Sequence, residues 1–178
     1  MSGPRAQSGL SLIEVLVTMV IVAISMLGLA GLQARSMSMQ LDSESRRVAS
    51  GLVSQLRERI SANQQGYGQS LATAYTVTLL PGAAAAIPSC AAPDACDAAL
   101  EVPARQVGMW LAEVRRQLPE AAVDLGPAIA GNALAMTATV GWLEPNARAV
   151  APDGACARIA AIASDARYRC LSVTFFPG

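Results

Sequence analysis

The sequence predicts an α+β fold in which one long amino-terminal α-helix packs on a small antiparallel β-sheet. Two observations predict it. An uncharged stretch at residues 15–34 leads into a helical repeat of apolar residues, and the second half of the chain combines short alternating segments with one amphipathic helix. With 178 residues, the chain is long enough for one membrane-length helix and one modest folded head.

The amino-terminal stretch is long enough to cross a membrane. About 20 uncharged residues make a helix of about 30 Å at 1.5 Å per residue, which matches the hydrocarbon core of a bilayer. Glu14 stands at the start of this stretch. An ionised carboxylate there costs about 3 kcal/mol on insertion scales, so the sequence predicts a partner charge for Glu14.

Apolar residues continue the helix beyond this stretch. Those that recur on one helical face are Leu41, Val48, Leu52, Leu56 and Ile60. Asp42 and Arg46 stand at i and i+4 and can pair on the opposite face. The polar, glycine-containing range Asn63–Gly68 suits a helix end. These patterns predict one helix from Leu10 to Ala62, about 80 Å long at 1.5 Å per residue.

Gly28 and Gly31 interrupt the helix near the end of the uncharged stretch. Glycine costs about 1 kcal/mol relative to alanine inside a helix, so the pair can form a weak point. Small residues also let helices approach each other closely in a membrane. The sequence leaves both interpretations open.

After the long helix, the sequence predicts a short strand, a loop and a second helix. Tyr75–Leu79 alternates and is β-branched, which predicts a strand, and the Ala- and Pro-rich range Pro81–Ala99 predicts a surface loop. A helix is predicted from Pro103 to a point before Pro119. Its apolar residues are Val107, Met109, Trp110, Leu111, Val114 and Leu118. We expect Trp110 and Leu111 to pack against the sheet.

Three further segments predict strands, at residues 121–125, 133–143 and 168–176. One face of the second strand comprises Met136, Ala138, Val140 and Trp142. The apolar positions noted in the third are Cys170, Val173 and Phe175. Together these segments predict an antiparallel sheet resting on the long helix.

The residues around Glu14 resemble a known processing signal. Residues 9–17 read GLSLIEVLV and resemble the amino-terminal signature of type IV prepilins and type II secretion pseudopilins. The resemblance implies that prepilin peptidase cuts between Gly9 and Leu10 and methylates the new amino terminus at Leu10. Glu14 would then be the fifth mature residue and would pair with the amino terminus of a neighbouring subunit. Such pairing removes most of the cost of two lone charges in an apolar filament core.

The same resemblance implies a type IV pilin-like division of the chain. Its parts are a leader at residues 1–9, a transmembrane and filament-core helix at 10–34, an amphipathic continuation at 35–62 and a periplasmic head at 63–178. The protein is then expected in the inner membrane with a single span, and later in the pilus filament at the cell surface. The other interpretations of the span are a secretory signal, a generic membrane anchor and a buried soluble helix. Length and Glu14 argue against the first, and the second leaves the motif unexplained.

The head resembles that of PilV-type minor pilins. The resemblance rests on the helix with Trp110, the Leu118–Pro119 ending, the strand that finishes at Val140–Trp142, and cysteines before and after it. It implies a minor pilin that joins the initiation and tip complex and primes pilus growth. The partners so implied are prepilin peptidase, PilW, PilX, PilE and FimU-like minor pilins, a tip adhesin, the major pilin and the inner membrane. Alternatives are a minor pseudopilin of a type II secretion system and a tip-located ligand-binding module.

The four cysteines of the chain all lie in the predicted head, as Cys90, Cys96, Cys156 and Cys170. An even number of cysteines in an exported domain predicts disulfides. Of the three possible connectivities, sequence proximity favours Cys90 with Cys96 and Cys156 with Cys170, and a crossed pattern stays open. We expect no metal site, because the chain has neither Cys-x-x-Cys pairs nor histidine.

The composition argues against catalysis and nucleic-acid binding. The absence of histidine removes the commonest general base. The carboxylates that could act in its place are predicted to be solvated, and they include Glu113, Glu120, Asp124, Glu144 and Asp153. Thirteen basic residues balance 13 acidic ones, and the aromatic residues are scattered, unlike a surface for phosphates or bases. We therefore expect no catalytic residue, no cofactor and no nucleic-acid partner.

Overall fold

The structure is a computed structural model that describes residues 11–63, 75–85, 101–129, 132–144 and 151–176. The described elements, in chain order, are helix α1 (Leu12–Ala62), strand β1 (Val77–Leu79), helix α2 (Glu101–Gln117), strand β2 (Ala122–Ile129), strand β3 (Asn132–Leu143), a 3-10 helix (Gly154–Arg158) and strand β4 (Tyr168–Phe175). A long apolar helix thus accompanies a small antiparallel sheet, which confirms the predicted α+β fold.

The four strands form one sheet in the order β1-β2-β3-β4, and each pairs antiparallel with its neighbour. Strand β2 runs to Ile129, beyond the predicted end at Leu125, because it pairs with the longer β3 as far as Asn132. The register between these strands shifts between Pro127 and Ile129. Proline cannot donate to a ladder, and an irregularity of this kind accommodates it.

The chain divides into two compact units, Met1–Leu41 and Asp42–Gly178. The first unit contains the amino-terminal part of α1, with its uncharged residues. The second contains the remainder of α1 together with α2 and the sheet. Helix α1 thus contributes residues to both units.

The core of the second unit lies between the two helices and one face of the sheet. Helix α1 contributes Ala49, Leu52, Val53, Leu56 and Ile60, and α2 with the residue after it contributes Val107, Trp110, Leu111, Val114 and Leu118. The sheet contributes Leu79, Val123, Leu125, Met136, Ala138, Val140, Trp142 and Phe175. The helical repeat predicted for α1 is therefore buried from Leu52 onward, whereas Leu41 of the first unit is 59% exposed.

Trp110 joins the helices to each other as well as to this core. Its indole Nε1 donates a hydrogen bond to the main-chain oxygen of Leu52 at 2.8 Å. Met109, also predicted on the apolar face of α2, is half exposed. Arg46 lies with its guanidinium carbon 5.9 Å from the ring centroid of Trp142. The predicted Asp42–Arg46 pair is not tested, because the side chain of Asp42 lies outside the described residues.

A second apolar cluster covers part of the opposite face of the sheet. It comprises Ala122, Cys156, Ile159, Ile162, Tyr168 and Cys170. Cys170 therefore faces away from Val173 and Phe175, as the alternation along β4 requires. The sequence did not predict this second apolar cluster.

The buried Tyr75 ties together the elements on the helix side of the sheet. Its hydroxyl accepts a hydrogen bond from Asn63 Nδ2 at 3.0 Å and donates one to Gln106 Oε1 at 3.2 Å. Tyr75 precedes β1, so the strand begins at Val77 rather than at the predicted Tyr75. Helix α1 ends at Ala62, as predicted.

Candidate assembly site

Glu14 lies in the first turn of α1. The main-chain oxygen of Ser11 accepts hydrogen bonds from the nitrogens of Glu14 at 3.0 Å and Val15 at 3.3 Å, and so it starts the helix. The unpaired N–H groups of a first turn give it a partial positive charge, which favours a carboxylate there. Gly9 and Leu10 lie outside the described residues, so the predicted cleavage site stays a prediction.

The first unit presents apolar side chains around the whole helix. Their exposed fractions range from 40% at Val15 to 86% at Leu12. The hydroxyl of Thr18 donates to the main-chain oxygen of Val15, and that of Ser25 donates to the main-chain oxygen of Ile21, both at 2.8 Å. Both hydroxyl groups are therefore hydrogen-bonded within the helix. By length and composition, α1 is long and apolar enough to cross a membrane.

Gly28 and Gly31 lie inside this helix without interrupting it. A Cβ atom at either position would meet no atom within 4 Å. Neither glycine is therefore required by packing within this chain. Both interpretations given above, a weak point and a close contact with another helix, remain predictions.

The favoured disulfide between Cys156 and Cys170 is present, with a Cα–Cα distance of 5.2 Å. This bond rules out the two crossed connectivities for these cysteines. Cys90 and Cys96 lie outside the described residues, and their pairing stays a prediction. The Cys156–Cys170 bond joins the 3-10 helix to β4 across a sequence separation of 14.

Asp153 reinforces the same connection. Its Oδ1 accepts a hydrogen bond from the nitrogen of Ala155 at 3.0 Å and caps the 3-10 helix, and its Oδ2 accepts one from the nitrogen of Cys170 at 3.1 Å. Arg158 adds an ion pair to Asp124 of β2 at 3.1 Å. The sequence pattern indicated only solvated carboxylates at Asp153 and Asp124, because the partners are distant along the chain.

The other carboxylates singled out from the sequence mostly serve in ion pairs. Glu144 pairs with Arg169 at 3.3 Å, and Glu113 pairs with Arg116 at 2.7 Å. The hydrogen bond from Arg116 lowers the pKa of Glu113. Within the described part of the chain, no cluster of three or more His, Cys, Asp or Glu residues could hold a metal ion. The expectation that the chain has no catalytic residue stays a prediction.

One family model matches the chain, described as the prokaryotic N-terminal methylation motif, and it covers residues 4–30. Searches of curated proteins and of solved structures found no match. The matched range includes Gly9, Leu10 and Glu14 and extends through most of the uncharged stretch. The motif implies processing by prepilin peptidase, and the apolar helix that follows fits membrane anchoring. The match, the long apolar helix and the four-stranded antiparallel sheet together support a type IV pilin-like prepilin.

Proposed function

We propose that this chain is a minor pilin of the type IV pilus, similar to PilV, that joins the complex from which the filament starts and which later forms its tip. The observation that carries the proposal is Glu14 in the first turn of an apolar helix, inside a matched methylation motif. The head resemblance described above supports the PilV-type role. PilW, PilX, PilE and FimU-like minor pilins, the major pilin and a tip adhesin are its proposed partners.

Processing creates the positively charged amino terminus with which Glu14 pairs in this proposal. Prepilin peptidase hydrolyses the Gly9–Leu10 peptide bond, so that Gly9 keeps a carboxylate in the leader and Leu10 gains a free amine, which is then methylated. The amine stays protonated at neutral pH. In an apolar filament core, an isolated carboxylate and an isolated ammonium group are each costly. Pairing Glu14 of one subunit with the Leu10 amine of another therefore fixes the axial register of the two helices.

The remaining parts of the chain have supporting roles in this proposal. The apolar surface of residues 12–32 contacts lipid before assembly and neighbouring helices after it. The head lies in the periplasm, where an oxidising environment favours the Cys156–Cys170 bond. The chain acts as a substrate of the peptidase rather than as an enzyme. Its head supplies partner specificity.

The first test is the mature amino terminus of the full chain purified from membranes of the native host. Mass spectrometry should find N-methylated Leu10 as the first residue. An intact leader, or a terminus at any other residue, would contradict the proposed processing.

The second test compares Glu14→Ala with Glu44→Ala in a strain that lacks the native gene. Glu44 is an exposed glutamate on the same helix, paired with Arg47 at 3.6 Å. Surface pili and twitching motility should be restored by Glu44→Ala and reduced at least tenfold with Glu14→Ala. Full complementation by Glu14→Ala would show that assembly does not need this carboxylate. Loss of type II secretion with normal pili would favour the pseudopilin alternative.

A further inference from the structure

Strand β4 forms a long edge of the sheet. In the order β1-β2-β3-β4 the edges are β1 and β4. Strand β1 has only 3 residues, whereas β4 has 8. Among the described residues, β4 pairs with β3 alone. Every second residue of β4 directs its N–H and C=O groups away from β3. The N–H groups of Tyr168 and Cys170 already donate to the main-chain oxygen of Asp165 and to Asp153 Oδ2, so the part of the edge with which another strand can pair is residues 172–175.

The carboxyl-terminal part of β4 carries no charged side chain to prevent such pairing. Residues 170–176 contain no charged residue, and the nearest proline is Pro177, after the strand. Arg169 precedes them and is paired with Glu144. Phe176, directly after the strand, is 70% exposed. Natural proteins protect edge strands with charges, proline or short length, so an uncharged stretch of edge next to an exposed aromatic ring favours a surface that another chain covers.

A groove of about 210 Å³ runs beside this edge, between β4 and α1. Its lining residues are Val53, Ser54 and Arg57 of α1 and Val173, Thr174, Phe175 and Phe176. Val53 and Phe175 are buried and give the groove an apolar floor. Arg57 is exposed on its wall. No carboxylate in the described part of the chain forms an ion pair with Arg57.

We propose that this groove receives an extended segment of a different, neighbouring subunit, which pairs with β4 and places an acidic residue beside Arg57. The backbone edge favours a strand, the apolar floor favours an apolar side chain, and the charge of Arg57 favours a carboxylate. Strand β4 of a second copy cannot supply that carboxylate, because it contains no acidic residue. The inference rests on the proposed function, which provides different subunits as neighbours.

The test uses the full chain in its native host, with a photoreactive amino acid at Thr174. Irradiation of intact cells should join this position to a peptide of another pilin-like subunit, and mass spectrometry should find Asp or Glu in that peptide. The same photoreactive residue at Met109, half exposed on α2, is the positional control and should give at least fivefold less of this product.

Charge reversal then tests the role of Arg57. Arg57→Glu should reduce the cross-linked product at least tenfold, whereas Arg116→Glu, a reversal at an exposed arginine of α2, should leave it unchanged. Replacing the acidic residue of the captured peptide with Arg should restore the product in the Arg57→Glu background. Should Arg57→Glu fail to accumulate, Arg57→Gln replaces it, with an expected reduction of at least threefold.

Three results would overturn the inference: products only within the same chain, products only with a second copy, or products that Arg57 substitution does not change. Suppose that one of these cross-linking results is found, but Leu10 is the mature terminus and pili are normal. The strand-pairing inference alone is then wrong. If the leader stays intact, the proposed function fails first.

Discussion

Gly141 of β3 lies against the second apolar cluster. A Cβ atom there would lie 2.6 Å from Ile162 Cδ1 and 3.0 Å from Cys170 Sγ. Gly141→Ala should therefore destabilise the protein by about 1–3 kcal/mol, since the added methyl group overpacks a closed site. Denaturant unfolding of the full chain in detergent, followed by tryptophan fluorescence, measures this change.

Gly51→Ala is the matched control for that substitution. Gly51 is an exposed residue of α1, and a Cβ atom there meets nothing within 4 Å. Alanine in a helix is favoured over glycine, so this variant should be more stable by up to about 1 kcal/mol. Equal unfolding midpoints for the two variants would show that Ile162 and Cys170 move aside at little cost.

Tyr75 should make stability depend on alkaline pH. Burial raises its pKa above the usual 10.0, and the hydrogen bond from Asn63 opposes this in part. The folded state thus favours the neutral phenol, so this contribution is fully present below about pH 10 and is lost as the pH rises through the folded pKa. Wild-type protein should lose stability above pH 10 more steeply than Tyr75→Phe. The measurement is the unfolding midpoint between pH 8 and 11, and parallel curves would contradict the expectation.

The short segment from the 3-10 helix to β4 is the element that the sequence did not reveal. Loss of its disulfide in a Cys156→Ser, Cys170→Ser double variant should cost about 3 kcal/mol, as expected for a closed loop of this length. Arg167→Ala, which removes an exposed ion pair to Asp165, should change stability by less than about 0.5 kcal/mol. Unfolding of the full chains under non-reducing conditions compares them. A loss below about 1 kcal/mol in the double variant would mean that Asp153 and Arg158 hold the segment without the disulfide.

The contrast between predicted and unpredicted elements has a physical cause. Leu52, Leu56 and Ile60 recur with the period of a helix, and the residues around Trp142 alternate with the period of a strand. Each pattern indicates that one face of its element is buried. Ile159 and Ile162 pack on the opposite face from a segment of turns, where no period exists to predict burial. Likewise, Pro127 argues against a strand locally, and only pairing with β3 extends β2 past it.

The candidate site shows the same division. The sequence singles out Glu14 because its charge conflicts with the apolar residues that follow it in the chain, and its role in assembly stays a prediction. The roles of Asp153 and of Tyr75 could not be predicted, because their hydrogen-bond partners, Cys170 and Gln106, are distant in sequence. The edge of β4 and its groove required the order of the strands, which no local pattern contains.

At the scale of the whole molecule, the boundary after Leu41 predicts how the chain can be cut. A fragment of residues 42–178 keeps Leu52, Leu56 and Ile60 in the core and should be folded and monomeric without detergent. A fragment of residues 63–178 loses these side chains and also the Leu52 oxygen that accepts from Trp110, so it should aggregate or remain unfolded. Size-exclusion chromatography and circular dichroism distinguish these outcomes. A well-folded shorter fragment would show that α1 is dispensable to the head.

The exposed apolar surface of the first unit limits the route that the subunit can take. Each large apolar side chain left in water costs about 1.5–3 kcal/mol, so the stretch from Leu12 to Leu32 would carry a penalty on the order of tens of kcal/mol in solution. A freely diffusing monomer of the full chain is therefore negligible in water. Under the proposed function, the subunit therefore passes directly from lipid to its neighbours, and growth of the fibre begins at the bilayer.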